Sequence, residues 1–222
     1  MTDESTQGTL ARPGVYVRGT ETVDAILKAA HKVLIEEGVA AFTIRRIASA
    51  CGLNVGNVSY HFPRKEILIQ VLLDDMFNSY DMKLEERVRR ADLPPEERLR
   101  AVIKMCLDDI GSKRTTRLFT ELWALSNHNE FIAERVRLFY QNVHDVFGEY
   151  IAALNPRLSA DEVRTLSLFI SASMEGTTPF LGYHKPWAGQ MAAITALSAD
   201  WFVRLVKNIE PGEIARLTQQ EG

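Results

Sequence analysis

The sequence predicts an all-α protein, in which a small N-terminal domain of three helices precedes a larger helical domain. Along most of the chain, apolar residues recur at the i, i+3, i+4 and i+7 spacing of an amphipathic helix. Glycines, prolines and capping residues divide this pattern into segments of helix length. No segment shows the alternation of apolar and polar residues that indicates a half-buried strand.

The composition is that of an ordinary globular chain and excludes several classes of protein. The 222 residues have a formal net charge of −3 and are 46% hydrophobic, which suits one or two domains with a sizeable core. Cys51 and Cys106 are far apart and have no metal-ligand spacing, so neither a disulfide framework nor a structural zinc is expected. No cofactor is expected either. Without an apolar leader or spanning segment, we expect a cytoplasmic protein with no membrane partner.

The first helix is predicted from about Thr22 to Glu37, after a polar N-terminal arm, and Gly38 ends it. A helix-turn-helix is predicted in the next segment. Thr43 and Asn54 are N-caps of two short helices, and Gly52 suits the turn between them because glycine tolerates positive φ. The first of these helices has its apolar stripe at Ile44, Ile47, Ala48 and Cys51, and the second packs back through Val58 and Phe62.

Charge around this segment indicates a polyanion partner. No Asp or Glu occurs between Glu37 and Glu66, whereas four Lys or Arg residues and one His do. Nearby carboxylates would repel phosphates, so their absence together with the helix-turn-helix makes DNA the predicted partner. The alternative is a helical hairpin whose basic residues form only a solvated face.

The rest of the chain is predicted as amphipathic helices with clear boundaries. A long helix begins at Pro63, a residue suited to a helix start, and enters the second domain. Leu93-Pro94-Pro95 and Asn155-Pro156 interrupt the pattern, Asn129 is an N-cap, and Ser159 with Glu162 forms a capping box. The expected helices cover residues 63–90, 96–110, 114–126, 129–154, 159–180 and 189–208.

Four segments follow from this pattern. We expect a flexible arm at residues 1–19, the helix-turn-helix domain at 20–66, a helical effector-binding and dimerisation domain at 67–210, and a C-terminal tail at 211–222.

Residues 22–70 resemble the N-terminal DNA-binding domain of TetR/AcrR-type transcriptional regulators. The resemblance rests on residues 26–30 with Glu37-Gly38, on 43–48, and on 52–54 with 60–66. It implies a sequence-specific DNA-binding regulator, usually a repressor, which binds a palindromic operator as a homodimer and is released by a small-molecule effector in its C-terminal domain. Many members have tyrosine where this chain has Ser59, and the tyrosine here is Tyr60, so either residue is a candidate for the phosphate contact.

The predicted DNA-binding residues lie on the two short helices and just beyond them. Asn57 suits adenine and Val55 suits a thymine methyl, whereas Gly56 allows close approach to the bases. The alternatives are that Thr43 only caps, that His61 only packs, and that Arg46 is only solvated. The full set comprises Thr43, Arg45, Arg46, Asn54, Val55, Gly56, Asn57, Ser59, Tyr60, His61 and Lys65.

The last two long helices are apolar over much of their girth, so they either form the centre of the monomer or also pack on a second subunit. The resemblance implies a homodimer through these helices, at Phe169, Ile194, Leu197, Ser198, Trp201 and Leu205. Double-stranded DNA, a second copy and a small, mostly apolar effector are the expected partners.

Effector-binding candidates are polar and aromatic residues of the second domain and one methionine: Phe119, Trp123, His128, Tyr140, Phe169, Met174, Glu175 and Tyr183. For most of the aromatic residues, a place in the core is the alternative. Glu175 stands out as the one acid in the apolar stretch 166–181, since a buried carboxylate needs a partner. That partner could be a ligand group, a basic residue across the bundle or a dimer mate.

The alternatives to a DNA-binding regulator are two other classes of function. A helical enzyme would need a catalytic motif, but HExxH, GxSxG and P-loop patterns are absent and the five histidines are scattered. A helical interaction protein without DNA would have no reason to exclude acids from residues 38–65. The sequence therefore favours a regulator that is not an enzyme.

Overall fold

The structure, a computed structural model, describes residues 17–89 and 92–219. Every regular element in these two ranges is helical, which confirms the all-α class. Two 3₁₀ turns, Val39–Ala41 and Ala188–Gln190, and a π-helical turn, Glu85–Arg89, accompany the α-helices. These α-helices are α1 Val17–Glu37, α2 Ile44–Cys51, α3 Val55–His61, α4 Lys65–Leu84, α5 Pro95–Ile110, α6 Lys113–Ser126, α7 Glu130–Leu154, α8 Ala160–Glu175, α9 Thr178–Leu181, α10 Met191–Asn208 and α11 Glu213–Gln219.

The chain divides into two compact units, with the division between Leu72 and Leu73 within α4. In the first unit α1 packs on α2, and α2 packs on α3. Its fully buried side chains come from all three helices and include Ile26, Ile47 and Val58. The small Ala48 is also buried, which allows the helices to approach closely.

In the second unit, α5 packs against α7, α8 and α10, while α7 also packs against α6 and α8. The core between these helices contains Leu99, Ile103, Leu107, Phe147, Ile151, Ile170, Val203 and Val206. Buried apolar residues therefore come from helices distant in sequence, and their packing leaves the pocket described below.

The predicted caps are present where the sequence placed them. Thr43, Asn54 and Asn129 each accept a hydrogen bond from the backbone N–H three residues later. Ser159 and Glu162 form the reciprocal bonds of a capping box. Gly52 adopts the left-handed conformation at the end of α2, with φ of 71°.

Several helix boundaries differ from those expected. Helix α1 begins at Val17, so part of the expected arm is helical, while residues 1–16 lie outside the described residues. The helix expected to reach residue 180 ends at Glu175, because in a continuous helix the ring of Pro179 would clash with the carbonyl four residues earlier and would have no N–H to donate. Helix α11 lies within the segment expected as a tail, whose last residues, 220–222, are also outside the described ones.

Two buried contacts fix connecting segments of the second unit. The Asn155 amide donates to the carbonyls of Val206 and Ile209, at 2.9 and 3.0 Å, and so satisfies carbonyls at the end of α10. The Thr116 hydroxyl donates to the Ile110 carbonyl and accepts from the N–H of Tyr183.

Candidate nucleic-acid interface and internal pocket

Helices α2 and α3 form a helix-turn-helix in which local hydrogen bonds fix both starts. The Thr43 hydroxyl oxygen accepts from the N–H of Arg46 at 3.1 Å, and the Asn54 side-chain oxygen accepts from the N–H of Asn57 at 2.7 Å. Val58 and Phe62 are buried, as the sequence predicted. Burial of this face of α3 leaves its opposite face to solvent.

Most of the residues predicted to bind DNA are exposed, on α3 and on the segments that flank it. The Tyr60 side chain is 80% exposed, which is unusual for a large aromatic residue and marks a candidate contact surface. Its ring makes an edge contact with the ring of His61, with centroids 5.1 Å apart. Thr43, Arg45, Asn54, Val55, Gly56, Asn57 and Lys65 are exposed, and Arg46, Ser59 and His61 are half-buried.

Arg46 differs from the other basic residues of this surface because it already has a partner. Its guanidinium donates two hydrogen bonds to the Glu37 carboxylate, at 2.6 and 2.8 Å, and so joins α2 to the end of α1. The hydrogen bond and the charge of Glu37 both raise the pKa of Arg46. No described carboxylate forms an ion pair with Arg45 or Lys65, so their charges remain available to a phosphate.

The second unit contains a pocket with a cavity of about 90 Å³. This is several times the ~10–15 Å³ that one water needs. The walls come from α4, α5, α6, α7 and α8. They consist of Phe77, Tyr80, Asp81, Leu84, Val102, Met105, Cys106, Asp109, Ile110, Thr115, Phe119, Phe139, Asn142, Val143, Val146, Phe147, Ser171, Met174 and Glu175.

One end of the pocket is a polar cluster around Asp109. Its carboxylate accepts hydrogen bonds from the hydroxyls of Tyr80 and Thr115. The Lys83 ammonium lies 3.1 Å from the other carboxylate oxygen. Burial, and then the charge of Asp109, raise the pKa of Tyr80. The cluster therefore joins α4, α5 and α6 through one neutralised carboxylate.

Glu175 is the second carboxylate inside the pocket, and its surroundings are different. The Tyr140 hydroxyl acts to lower its pKa, and Trp123 Nε1 donates a hydrogen bond to the Tyr140 oxygen at 3.0 Å. Burial, the largest influence, raises the pKa of Glu175 to about 7, although the Tyr140 hydrogen bond acts in the opposite direction. No Lys, Arg or His among the described residues forms an ion pair with this carboxylate.

The structure brings together only some of the predicted effector residues. Phe119, Met174 and Glu175 line the pocket, and Trp123 and Tyr140 lie behind Glu175. His128 is exposed before α7, Tyr183 stacks on His184, and the exposed Phe169 has its ring 6.1 Å from that of Phe202, so these three do not line the pocket.

Several lining residues were not proposed from the sequence, chief among them Tyr80, Asp109 and Thr115. For Asp109 and Tyr80, the sequence contains a signal in the spacing of helical residues. Asp109 follows Cys106 by three positions on α5, and Tyr80 follows Phe77 by three on α4, so each lies on an inward face.

A further apolar surface lies on α8 and α10. Leu197 and Trp201 are 64% and 61% exposed, and Leu168 and Phe169 are also exposed. The remaining predicted interface residues, Ile194, Ser198 and Leu205, are half-buried. Large apolar side chains grouped in this way on a surface typically mark a protein–protein contact.

Two features are absent from the described ranges, 17–89 and 92–219. They contain no group of three or more His, Cys, Asp or Glu side chains arranged to hold a metal ion. None of their helices combines the length and hydropathy needed to cross a bilayer.

Comparison with known proteins gives two matches to family descriptions. Residues 26–72 match the bacterial regulatory proteins of the tetR family, and residues 95–201 match the C-terminal domain of the BetI-type transcriptional repressor. The two matches together include over two thirds of the chain. Both describe transcriptional regulators, which are not enzymes.

Individual relatives agree with these matches. The chain is 26% identical to the HTH-type transcriptional regulator BetI of Stenotrophomonas maltophilia, over 72% of this chain and 81% of that one. Salmonella enterica GusR superposes with a TM-score of 0.67 at 17% identity, over 90% of this chain and 100% of GusR. A Saccharomonospora viridis protein solved in complex with choline also has a TM-score of 0.67 at 17% identity, over 85% and 97%. These two structural likenesses show the fold alone.

Proposed function

Because the chain belongs to the TetR family of DNA-binding transcriptional regulators, we propose that it is a repressor that binds a palindromic operator as a homodimer and is released by a small effector. In this proposal residues 20–66 bind DNA, and residues 67–210 bind the effector and dimerise. The exposed, acid-free surface of α3 is the observation on which the proposal mainly depends.

We assign base contacts to the exposed N-terminal part of α3. The Asn57 side chain has the donor and acceptor that adenine requires in the major groove, and Val55 suits a thymine methyl. The Asn54 side-chain oxygen is used by the cap, but its amide group remains a donor. Gly56 offers no side chain between the helix and the bases.

Phosphate contacts are assigned to Thr43, Tyr60, His61 and Lys65, with Arg45 able to reach a phosphate or a base. The Thr43 oxygen accepts the capping bond, so its hydroxyl proton remains available to a phosphate oxygen. Tyr60 is favoured over Ser59 for the phosphate contact because Tyr60 is exposed and Ser59 is half-buried. Because most of these residues would bind phosphates, we expect the affinity for DNA to fall steeply as the salt concentration rises.

Arg46 is given a positioning role in place of a DNA contact. Its two hydrogen bonds to Glu37 fix the start of α2 against the end of α1. A phosphate would have to compete with this carboxylate. Arg46→Ala is therefore expected to weaken DNA binding less than Tyr60→Ala does, and to lower the melting temperature.

The apolar surface of α8 and α10 is proposed as the dimer interface. Its exposed residues, above all Leu197 and Trp201, would be buried by the same surface of a second copy. A two-fold dimer presents two copies of α3, which matches the symmetry of a palindromic operator.

The internal pocket is proposed as the effector site. Helix α4 supplies Phe77, Tyr80, Asp81 and Leu84 to its wall, and the same helix begins at Lys65, four residues after α3 ends. A ligand that displaces this wall would move α4, and so change the spacing of the two DNA-binding domains in the dimer. The choline bound by the Saccharomonospora viridis protein gives one example of a small ligand on this fold.

The test measures fluorescence anisotropy of the full chain with DNA from upstream of its own gene, at several salt concentrations. We expect sequence-preferring, salt-sensitive binding, which Tyr60→Ala weakens by about tenfold, as for loss of one phosphate hydrogen bond and its packing. Leu217→Ala, which removes an exposed apolar side chain from α11, is the matched control and should not change binding. Absence of any preferred sequence, both here and in an unbiased selection from random DNA, would contradict the proposal.

A further inference from the structure

The segment between α8 and α10 carries a group of exposed aromatic residues. Phe180 and Trp187 are both more than half exposed, and their ring centroids lie 6.0 Å apart. Tyr183 stacks on His184, with 4.1 Å between the ring centroids. Tyrosine and tryptophan are among the residues that contribute most to binding in protein–protein contacts. Exposed rings grouped in this way therefore indicate a contact surface.

Several contacts hold this segment in one conformation. The Thr116 hydroxyl oxygen accepts from the N–H of Tyr183 at 2.8 Å, and the N–H of Trp187 donates to the Phe180 carbonyl at 3.2 Å. Gly182 is packed so closely that a Cβ would lie 2.6 Å from a backbone carbonyl oxygen. A surface that is already held in one conformation loses less entropy on association, so these rings are well suited to binding.

The charge around the rings is positive, although the chain as a whole has a formal net charge of −3. Residues 110–120 and 176–199 contain no Asp or Glu. The ammonium of Lys113 and the guanidinium of Arg117 each lie 5.9 Å from the centroid of the Tyr183 ring. The group that we call the basic aromatic surface comprises Lys113, Arg117, Phe180, Tyr183, Lys185 and Trp187. An acidic partner with an apolar centre would complement it.

The same chain presents such a partner surface where α4 passes into the π-helical turn. Met82 is 73% exposed there. It lies in a groove with three carboxylates and one guanidinium, those of Asp81, Glu85, Glu86 and Arg89. The Arg89 guanidinium lies 3.8 Å from the Glu149 carboxylate, so its charge is already shared. We call Asp81, Met82, Glu85 and Glu86 the acidic methionine surface.

We propose that the acidic methionine surface of a second copy of the chain docks on the basic aromatic surface. Met82 of one copy packs on the Phe180 and Trp187 rings of the other, since a methionine sulfur makes favourable contacts with aromatic rings. The carboxylates around Met82 then lie beside the Lys and Arg side chains. A second copy is favoured over an unrelated acidic protein because this chain itself offers the complementary charge and the apolar side chain.

This contact is heterologous, because the two surfaces that meet are different. It is therefore distinct from the two-fold contact of α8 and α10, and it goes beyond the proposed function by joining one dimer to the next. Dimers joined in this way would bind adjacent operators cooperatively.

Sedimentation velocity of the full chain over a range of protein concentrations, at about 0.05 M and about 0.5 M salt, tests the proposal. At low salt we expect species larger than the dimer. At high salt the attraction between the two surfaces is screened, so only the dimer, whose contact is apolar, should remain. The dissociation constant of the larger species should rise at least about tenfold between the two conditions.

Charge reversal on each surface makes the test specific. Lys185→Glu and Glu86→Lys should each weaken formation of the larger species by about tenfold or more. An equal mixture of the two variants should associate again, because the intact basic aromatic surface of one meets the intact acidic methionine surface of the other. Lys104→Glu reverses an exposed charge of α5 that belongs to neither surface, and should have no effect.

Removal of one ring tests the apolar part of the contact. Trp187→Ala should weaken formation of the larger species by about 30-fold, as for loss of a tryptophan that anchors an interface. Leu217→Ala, which removes an exposed apolar side chain from α11, is the matched control and should not change it. Circular dichroism spectra and melting temperatures close to those of the wild type show that each variant is folded.

The inference would be overturned by the absence of species larger than the dimer at low salt, by larger species that neither charge reversal weakens, or by variants whose mixture does not associate. Operator binding is measured separately. Specific DNA binding without larger species would refute this inference and leave the proposed function in place. Larger species with no preferred DNA sequence would refute the proposed function alone.

Discussion

Replacing Glu175 by Gln should stabilise the unliganded protein in a pH-dependent way. The substitution keeps the size of the side chain, but it removes the ability to ionise. The ionised carboxyl is unfavourable in the pocket, where burial raises its pKa from 4.5 to about 7. The stabilising effect should therefore appear only above about pH 4.5, where the carboxyl ionises in the unfolded chain.

The magnitude follows from the pKa difference between the folded and unfolded states. Below pH 4.5 the carboxyl is protonated in both states. As the pH rises toward 7, the unfolded chain loses this proton while the folded protein retains it, so the folded state loses stability, and the loss levels off above pH 7. At about 1.36 kcal/mol for each pKa unit, the wild type should lose roughly 2 to 3 kcal/mol relative to the variant between pH 5 and pH 8.

Urea denaturation followed by circular dichroism, at a fixed protein concentration and at intervals from pH 5 to pH 8, measures this difference. Glu130→Gln, an exposed substitution in the first turn of α7, controls for loss of a carboxylate in general, and its curve should run parallel to that of the wild type. If the curves of Glu175→Gln and the wild type were also parallel, the carboxyl would ionise without penalty. The penalty that burial imposes on the ionised Glu175 carboxylate, on which this prediction depends, would then be absent.

Three other substitutions test features of the second unit. Asn155→Ala should lower the free energy of unfolding by about 1–3 kcal/mol, because two buried carbonyls lose their donor; an unchanged urea midpoint would contradict this. Gly182→Ala should lower the free energy of unfolding by ~1–3 kcal/mol through overpacking, since a Cβ would lie 2.6 Å from the Thr178 carbonyl oxygen and 2.7 Å from Thr116 Oγ1. The melting temperature measures this loss, and a variant that melts at the wild-type temperature would refute the reasoning. Trp201→Glu should convert the proposed dimer to a monomer in light scattering, and a dimer that persists on dilution would place the interface elsewhere.

The comparison of sequence with structure shows which features are local. The caps at Thr43, Asn54 and Asn129 and the capping box at Ser159 involve residues three apart, so the sequence contains both partners within one helical turn. Gly52 is also a local signal, because it adopts a left-handed conformation that other residues rarely adopt. These local signals predicted the helix-turn-helix and most helix boundaries. Pro179 is likewise a local signal, for the end of α8 at Glu175, but the apolar pattern that continues through this segment obscured it.

By itself, the sequence determined the helical class, the helix-turn-helix and the acid-free surface of α3. The tertiary structure decided which inward faces meet. The pocket cluster joins Tyr80, Asp109 and Thr115 from three helices, and the Arg46–Glu37 pair joins two. Helical periodicity shows that a side chain points inward, but the packing of distant helices sets its partner. For this reason Phe119, Met174 and Glu175 line the pocket, whereas His128, Phe169 and Tyr183, similar in the sequence, lie outside it.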